Sequence, residues 1–248
     1  MCRFVAELKV NMHMSKGELP MNMKDLHLTE LSVFSGLTMG EIQEFIQHTS
    51  AVLKHYGKKE RLLEAYEEND QLGVIVTGKA QILTEDWLGN ENVGHSLERG
   101  ALVGVTSAIL SSEYSGSAVE AITEMKVLWI PYKSLLISGP RLGRIHGIVM
   151  KHILEALARK NILMVEKMQV LSKKSLRERI IIYLLQREKR QKNEQVVVPG
   201  RVQLAKELDC NRSALTREIG LMQEEGLLET GPDWLRLIKP RVLGRDNA

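Results

Sequence analysis

The sequence contains little cysteine, since Cys2 and Cys210 are its two thiols in 248 residues. Two cysteines are too few for the disulfide framework on which small secreted domains depend. A reducing cytoplasm is therefore the compartment that we expect.

Long apolar runs are also missing from the sequence. No stretch approaches the length of about 20 residues that a membrane-spanning helix needs, so we expect no membrane partner. Residues 1–23 lack the apolar core and cleavage site of a signal peptide, and we interpret them as an irregular leader. Hydrophobic residues nevertheless make up 44% of the chain, which excludes a disordered protein, and the length suffices for two small domains.

Neither sign of charge dominates the whole chain, whose net charge is +3. Residues 172–248, however, contain 16 Lys and Arg against 11 Asp and Glu, a net of +5, and the rest contains 18 against 20, a net of −2. A positive excess in one part of the chain suits a module that binds nucleic-acid phosphates. A charged, solubilising surface is the alternative.

A helix-turn-helix pattern lies in this basic part. Residues 201–208 place apolar side chains at helical spacing, Asp209 tolerates the left-handed backbone of a tight turn, and Asn211 is a good N-cap for a second helix. The exposed face of that helix begins with Arg212, Ser213, Thr216 and Arg217. Arginine and hydroxyl groups at such positions suit base edges and phosphates in a major groove. A helical hairpin with solvated arginines is the alternative.

Two short strands are predicted directly after this motif, at residues 226–230 and 234–238, around the turn Gly231-Pro232-Asp233. A helix-turn-helix followed by a hairpin is a winged helix. The helix before the motif is predicted to begin at Ser175, because Ser175 and Glu178 have the spacing of a capping box.

Residues 51–132 have the pattern of many short strands separated by turn residues. The predicted strands are 51–56, 61–65, 72–77, 79–85, 93–98, 119–122 and 126–130. This pattern predicts a β-roll (jelly-roll) domain, and antiparallel rolls of this size often hold a small ligand. Residues 25–48 are predicted to be helical in two pieces, and Thr38 and Glu41 form a capping box at the second.

From about Pro140 the pattern becomes that of one long helix with an apolar seam. The seam consists of Met150, Ile153, Leu157, Asn161, Met164, Met168 and Leu171. Spacing by threes and fours predicts a two-stranded coiled coil, in which the polar Asn161 fixes the register. A helix packed on its own domain is the alternative, but one small roll cannot cover so much apolar surface, so we favour a homodimer.

These patterns together predict an α+β chain in three parts. The first is a β-roll sensor domain at 24–140, the second a long dimerisation helix and hinge at 141–174, and the third a winged helix-turn-helix DNA-binding domain at 175–241.

This order of parts resembles the CRP/FNR superfamily of bacterial transcription regulators, from about Leu26 to Ile238. The residues that carry the resemblance include Val76-Thr77-Gly78-Lys79-Ala80, Leu102-Val103-Gly104, and Cys210-Asn211-Arg212-Ser213-Ala214-Leu215-Thr216-Arg217-Glu218. The resemblance implies a cytoplasmic homodimer that binds pseudo-palindromic double-stranded DNA, responds to a small molecule and has RNA polymerase as a partner. It also implies that Arg212 and Arg217 contact DNA, with Asn211, Ser213 and Thr216 beside them.

The resemblance also implies an effector pocket in the roll. Its residues would be Gly104, Val105, Thr106, Ser107, Ser117, Ala118, Asn161, Met164, Val165 and Met168. These groups are mostly small or apolar and suit an uncharged or weakly polar effector, or none. Members that bind cyclic nucleotides have Gly-Glu and an arginine before Ser-Ala, where this sequence has Gly104-Val105 and Gly116. A cyclic phosphate would meet no cation in this cassette, so we predict that cyclic AMP is not the effector.

The sequence contains little evidence for a cofactor site or a catalytic site. Two cysteines cannot ligate the four-cysteine iron–sulfur cluster of oxygen-sensing members, and the seven histidines form no close cluster, so we predict no cofactor and no metal. We find no nucleophile–base constellation and expect no enzymatic activity. The alternatives are a small-molecule-binding β-roll protein whose C-terminal domain contacts protein, and a cupin-like enzyme, although the roll lacks the paired histidines of cupins.

Overall fold

A computed structural model describes residues 26–85, 91–110 and 115–238. The chain divides into two compact units, unit 1 (Met1–Ala156) and unit 2 (Leu157–Ala248). The interpreted leader at 1–23, with Cys2, lies outside the described residues. The three-part division proposed from the sequence stays a prediction.

The described part of unit 1 contains 3₁₀ turns at Leu28–Glu30 and Ser32–Phe34, followed by helix α1 (Met39–Thr49). The first of the two predicted helical pieces is therefore 3₁₀ rather than α-helical. The predicted capping box of α1 is confirmed: the Glu41 amide donates to Thr38 Oγ1 over 3.3 Å, and the Thr38 amide donates to Glu41 Oε2 over 2.8 Å. This reciprocal pair satisfies two backbone donors that a helix start otherwise leaves free.

The β-roll of unit 1 is confirmed. Its elements are β1 (Val52–Tyr56), β2 (Arg61–Leu63), β3 (Gln71–Thr77), β4 (Ala80–Glu85), β5 (Glu91–Leu97), β6 (Leu102–Val103), α2 (Val105–Leu110), β7 (Ser117–Ala121) and β8 (Met125–Pro131). They form two four-stranded antiparallel sheets, with the orders β1-β8-β3-β6 and β2-β7-β4-β5. The seven predicted strands are present, whereas β6 and α2 were not predicted.

The inner faces of the two sheets share one apolar core. Ile75 and Val127 of the first sheet cluster with Ala80 and Ala121 of the second, and each is buried. Trp129 lies in the same cluster, and its indole donates a hydrogen bond of 2.8 Å to the Tyr56 hydroxyl. The central strands β3 and β8 are buried along most of their length, and the short strands separated by turns form the sandwich that the sequence predicts.

The segment after the roll contains the short helices α3 (Tyr132–Ile137) and α4 (Gly139–Leu142) and then the long helix α5 (Arg144–Leu171). The structure differs from the predicted start near Pro140, because Gly143 has a φ of 47° and separates α4 from α5. Among the described residues, α5 and the other helices are too short or too polar to cross a bilayer.

Unit 2 contains a compact winged-helix arrangement, as predicted. Its further elements are α6 (Leu176–Gln191), β9 (Val196–Val197), α7 (Arg201–Glu207), α8 (Arg212–Glu224), β10 (Leu228–Thr230) and β11 (Trp234–Leu237). The strands form one antiparallel sheet in the order β10-β11-β9. Helix α6 begins at the predicted capping box, in which the Glu178 amide donates to Ser175 Oγ over 3.2 Å.

Candidate nucleic-acid interface and effector cavity

Helices α7 and α8 form the predicted helix-turn-helix. Asp209 in the turn has a φ of 51°, in the left-handed region that aspartate tolerates. The side chain of Asn211 accepts a hydrogen bond of 2.7 Å from the Ala214 amide, so Asn211 is the N-cap of α8 as predicted. The turn chemistry thus fixes where α8 begins.

Apolar residues on the inner sides of α7 and α8 hold the two helices in the core of unit 2. The buried residues are Leu204, Ala205, Leu208, Leu215, Ile219 and Met222. They pack with Ile180 and Leu184 of α6 and with Leu235 of β11. Val202 is the exception to the predicted face, because it is 56% exposed. The opposite side of α8 is consequently left to solvent.

The outward side of α8 carries the predicted DNA-binding residues. Ser213, Thr216 and Arg217 are exposed and lie on one stripe at 3.6 residues per turn. Gly220 continues this stripe, and a Cβ built there would meet no atom within 4 Å. Arg212 is also exposed but lies about 140° around the helix from Arg217, because five residues separate them. The two arginines therefore face different parts of any ligand in front of α8.

Ion pairs divide the arginines of unit 2 into two groups. The pairs with carboxylates are Arg177 with Glu218 and Glu225, Arg187 with Glu207, Arg190 with Glu166, and Arg236 with Glu229. Within residues 115–238 and the other described ranges, no carboxylate lies within ion-pair distance of Arg212 or Arg217. These two guanidinium groups therefore present uncompensated positive charge beside the stripe.

Arg179 of α6 supports the turn from behind, a role that the sequence did not reveal. Its Nη1 donates to the carbonyl oxygens of Leu208 and Asp209 over 3.2 and 3.1 Å, and its Nε donates to that of Lys173 over 3.1 Å. These carbonyls include ones at the C-terminal end of α7, where a cation is favourable. No sequence pattern could reveal this contact, because it joins residues 30 positions apart that meet only after folding.

The wing consists of β10 and β11 around the predicted Gly231-Pro232-Asp233 turn. The turn closes with a hydrogen bond of 2.9 Å from the Gly231 amide to the Trp234 carbonyl. The side chain of Gln223 in α8 donates to Thr230 Oγ1 over 2.8 Å, which joins the wing to the end of α8. The wing and α8 thus form one connected surface within unit 2.

A cavity of about 320 Å³ lies in the β-roll of unit 1. It is lined by Arg61, Leu62, Leu63, Glu64, Glu67, Glu68, Asn69, Ser107, Ser115 and Ser117. Of the predicted pocket residues in the roll, Ser107 and Ser117 line it, and Gly104, Val105, Thr106 and Ala118 do not. The lining is charged and polar rather than mostly apolar as predicted.

Asn69 organises one wall of this cavity. Its Nδ2 donates to the Gln71 and Gly104 carbonyls, each over 2.9 Å, and lies 3.0 Å from Ser107 Oγ. Gly104 has a φ of 68°, and a Cβ there would lie 2.7 Å from Asn69 Nδ2, so no other residue fits. Gly104 is therefore structural, because it lets Asn69 fix the start of α2.

Comparisons with known proteins agree with this architecture. Residues 53–136 match the family model of the cyclic nucleotide-binding domain. The catabolite activator protein of Thermus thermophilus is 20% identical, with 83% of this chain and 93% of that chain covered and a TM-score of 0.50. CprK in complex with OCPA is 13% identical, with 79% and 88% covered and a TM-score of 0.56. No curated protein matches the sequence.

This is the fold of the CRP/FNR superfamily. The resemblance stated from the sequence is thus confirmed, with a cyclic nucleotide-binding domain in the roll and a helix-turn-helix after it. Sequence identities below 25% support a shared fold only. The role of each site residue therefore depends on the structure of this chain.

The cavity of unit 1 is the candidate effector site. Its lining includes one cation, Arg61 of β2, which lies outside the cassette at residues 104–118 that the sequence prediction considered. Arg61 is paired with Glu91, and its Nε lies 3.7 Å from Glu120 Oε2. The buried Nη1 of Arg61 has no hydrogen-bond partner in the described residues, and three further carboxylates in the lining make the cavity acidic.

The remaining predicted effector residues lie on α5, beyond the residues that line this cavity. Met164, Val165 and Met168 are 58%, 46% and 69% exposed in the single chain, and Asn161 is also exposed. Large apolar groups so open to water on one helix mark a surface that another body covers. They fit the predicted dimer seam better than an enclosed pocket.

The predicted dimer seam needs one correction. Ile153 is 3% exposed in the single chain, so it belongs to the protein's own core and cannot contact a partner chain. Its neighbour Leu154 is 60% exposed. Met150, Leu157 and Leu171 are half-buried. The exposed part of the predicted seam accordingly lies after Leu157, within unit 2.

Metal chemistry finds no support in the part of the chain that the structure describes. In that part, no three His, Cys, Asp or Glu side chains lie close enough together to hold a metal ion. Cys210 is a free cysteine, partly buried in the turn before α8, and burial raises the pKa of its thiol. Neither observation adds a reactive group to the two sites.

Proposed function

We propose that this CRP/FNR-type protein is a homodimeric, sequence-specific DNA-binding transcription regulator that places α8 in the major groove. The observation that carries the proposal is the outward stripe of α8, where Ser213, Thr216 and Arg217 are exposed and Arg217 has no carboxylate partner in the described residues. Guanidinium and hydroxyl groups there match the acceptors of base edges. The catabolite activator protein among the structural neighbours supports the same reading.

Arg217 and Arg212 have different roles in this proposal. Arg217 lies on the stripe and reads a base edge, for which guanine offers two acceptors that match the guanidinium fork. Arg212 lies at the start of α8, well around the helix, and contacts a phosphate that fixes the register. The side chain of Asn211 caps α8, so Asn211 contributes to DNA binding by fixing where α8 begins.

The dimer forms through the exposed apolar residues of α5. Leu157, Met164, Val165 and Met168 provide the apolar contacts and Asn161 a polar one, so that two copies of the helix pack as a coiled coil. A two-fold dimer presents two copies of α8, which enter successive major grooves of a pseudo-palindromic site.

The roll is a sensor domain whose effector is not cyclic AMP. A cyclic phosphate in the cavity would meet Glu64, Glu67 and Glu68, whose negative charges outnumber the single positive charge of Arg61. Arg61 is itself paired with Glu91, although its Nη1 has no hydrogen-bond partner in the described residues. Bringing an anion into a site with this excess of carboxylates is unfavourable. Calorimetry at millimolar cyclic AMP is expected to give no saturable heat, whereas micromolar binding would contradict this assignment.

The remaining features follow from the same proposal. A regulator of this kind works in the cytoplasm, has RNA polymerase as a partner, needs no cofactor and has no catalytic activity. The roll, long helix and winged helix then correspond to sensor, dimerisation and DNA-binding parts at 24–140, 141–174 and 175–241.

Selection from a pool of random DNA duplexes tests the proposal. The full-length protein is expected to enrich one inverted-repeat motif over several rounds of binding and amplification. A pool that stays random, although the protein is folded, would contradict sequence-specific binding and favour a C-terminal domain that contacts protein instead.

A further inference from the structure

Arg177, in the first turn of α6, contacts the second half of α8 through all three of its guanidinium nitrogens. Nε donates to Glu218 Oε1 over 2.6 Å. Nη1 and Nη2 donate to Glu225 Oε2 and Oε1 over 2.6 and 2.9 Å. Glu225 is thus held by a two-pronged bond, and Glu218 by a third bond from the same side chain.

The two glutamates are separated by about two turns of α8, so one arginine holds this helix along much of its C-terminal half. Glu218 directly follows Arg217, the residue proposed to read a base. Arg177 and Glu218 are 33% and 21% exposed, so part of the network is shielded from solvent. The hydrogen bonds to Arg177 lower the pKa of the Glu225 carboxyl, as expected for a charge-assisted pair.

This network differs from an ordinary surface ion pair. Isolated surface pairs contribute little to stability, but bidentate geometry and a shared central arginine are the exceptions. Helices α6 and α8 also pack through the apolar core of unit 2, and apolar packing has no preferred direction. Directed bonds to Arg177 therefore restrict the rotation and sliding of α8 that the apolar core alone would permit.

We propose that Arg177 is a positioning residue that fixes the orientation of α8 and thereby sets how well the protein discriminates between DNA sequences. The inference rests on the proposed function, because it assigns a role in reading DNA to a residue behind the reading helix. Positioning matters since a bidentate contact to a base tolerates only small errors in the place of the guanidinium.

The loss of the negative charge of Glu225 and the loss of its bonds to Arg177 are expected to have opposite effects on DNA binding in Glu225→Ala. Removing a carboxylate from a DNA-binding domain strengthens binding to every duplex, because phosphates are repelled less. The loss of the hydrogen bonds between Arg177 and Glu225 weakens binding to the selected site alone. We expect Glu225→Ala to lower the ratio of affinities for selected and scrambled duplexes by about tenfold, the size of one base contact.

Glu224→Ala is the matched control. Glu224 is the exposed neighbour of Glu225, carries the same charge, and takes no part in the Arg177 network. Glu224 is the last residue of α8 and Glu225 its C-cap, both side chains are exposed, and neither belongs to the apolar core, so both variants are expected to fold. Glu224→Ala should raise both affinities alike and leave their ratio unchanged.

Arg177→Ala and Arg190→Ala form a second pair of variants on α6. Each removes one paired arginine, but Arg190 is paired with Glu166 of α5 instead of with α8. Arg177→Ala is expected to lower the affinity ratio as Glu225→Ala does, and Arg177→Lys to restore little of it, because an ammonium cannot form the fork. Arg190→Ala should leave the ratio unchanged.

Fluorescence titration of each variant with selected and scrambled duplexes, at several salt concentrations, gives these ratios, and circular dichroism confirms the fold. An unchanged ratio in both Arg177→Ala and Glu225→Ala would overturn the positioning role. An equal fall in the ratio for Glu224→Ala would overturn it as well. A wild-type protein without sequence preference would instead refute the proposed function, so the two failures are distinguishable.

Discussion

Single residues of unit 2 divide by what their charged groups contact. Arg177, Arg187 and Arg190 are paired with carboxylates and hold helices together. Arg212 and Arg217 have no such partner in the described residues and face outward from α8. Unpaired, exposed guanidinium groups are what the proposed contact with phosphates and base edges requires.

Arg217→Ala tests the residue that is proposed to read a base. We expect a loss of about 1–3 kcal/mol in binding to the selected site and relaxed preference at one base position. Arg212→Ala should weaken binding to all duplexes alike and reduce the slope of log affinity against log salt by about one unit. Titrations at several salt concentrations separate the two outcomes, and a uniform effect of Arg217→Ala would contradict its base-reading role.

Two substitutions of Asn211 separate the effect of the helix cap on stability from the effect of a negative charge on DNA binding. Asn211→Ala is expected to destabilise the winged helix by about 0.5–2 kcal/mol, measured by urea denaturation, because the Ala214 amide loses its acceptor. Asn211→Asp keeps the cap and should keep the stability. It also adds a negative charge at the start of α8, so we expect weaker DNA binding; equal affinity would show that this helix end lies far from phosphate.

The capping box of α6 predicts a dependence of stability on pH. Hydrogen bonds from the amide and hydroxyl of Ser175 lower the pKa of Glu178 below its usual 4.5. The folded pKa is the lower one, so this stabilisation is complete above about pH 4.5 and is lost as pH falls through the folded pKa. Melting temperatures measured from about pH 6 to about pH 3 should therefore fall less for Glu178→Gln than for wild type. Glu194→Gln, at an exposed residue outside α6, should behave as wild type.

Local residue patterns were predictable because their partners are close in sequence. The boxes at Thr38 and Ser175 and the cap at Asn211 each join residues three positions apart. The bonds from Arg177 to Glu225 join residues 48 positions apart. No periodicity signals such a contact, because it depends on how α6 and α8 pack.

At the scale of elements, the strands were predicted well because turn residues mark their ends. The two-residue strand β6 and the six-residue helix α2 were missed, because segments so short contain no complete period. The sequence predicts helix at the turns Leu28–Glu30 and Ser32–Phe34, because a 3₁₀ turn and an α-helix bury similar positions over three residues.

Helix α5 shows what a periodic pattern leaves undetermined. The spacing placed Ile153 and Met164 on the same seam, but Ile153 is buried in the protein's own core and Met164 is 58% exposed. Periodicity identifies an apolar face without showing what covers it. A helix that is buried by its own domain at one end and by a partner at the other gives the same signal throughout.

Met168→Lys tests the proposed dimer interface on α5. Met168 is 69% exposed on the seam, so lysines from two copies would face each other, and like charges across an interface cost several kcal/mol. Sedimentation equilibrium is expected to show monomers at concentrations where the wild type is a dimer. Leu163→Lys is the control, because Leu163 is 49% exposed but lies about 140° around the helix from Met168. A dimer unaffected by Met168→Lys would refute the seam.

At the scale of the whole molecule, the order of parts carried more information than any single motif. A β-roll, a long helix and a winged helix in this order predicted the CRP/FNR fold, which the domain match and the structural neighbours confirm. The cavity of the β-roll could not be predicted, because β2, the loop after it, α2 and β7 all contribute to its lining. Arg61 and Glu64 had no motif to mark them.

The central claim is that a dimer reads DNA with two copies of α8, and hydroxyl-radical footprinting on the selected duplex tests it most directly. The account predicts two protected half-sites whose centres are about one helical turn apart, on one face of the duplex and related by two-fold symmetry. Protection should be lost at the matching base positions in both half-sites with Arg217→Ala. A single protected tract, or protection that does not depend on the sequence of the duplex, would contradict the account.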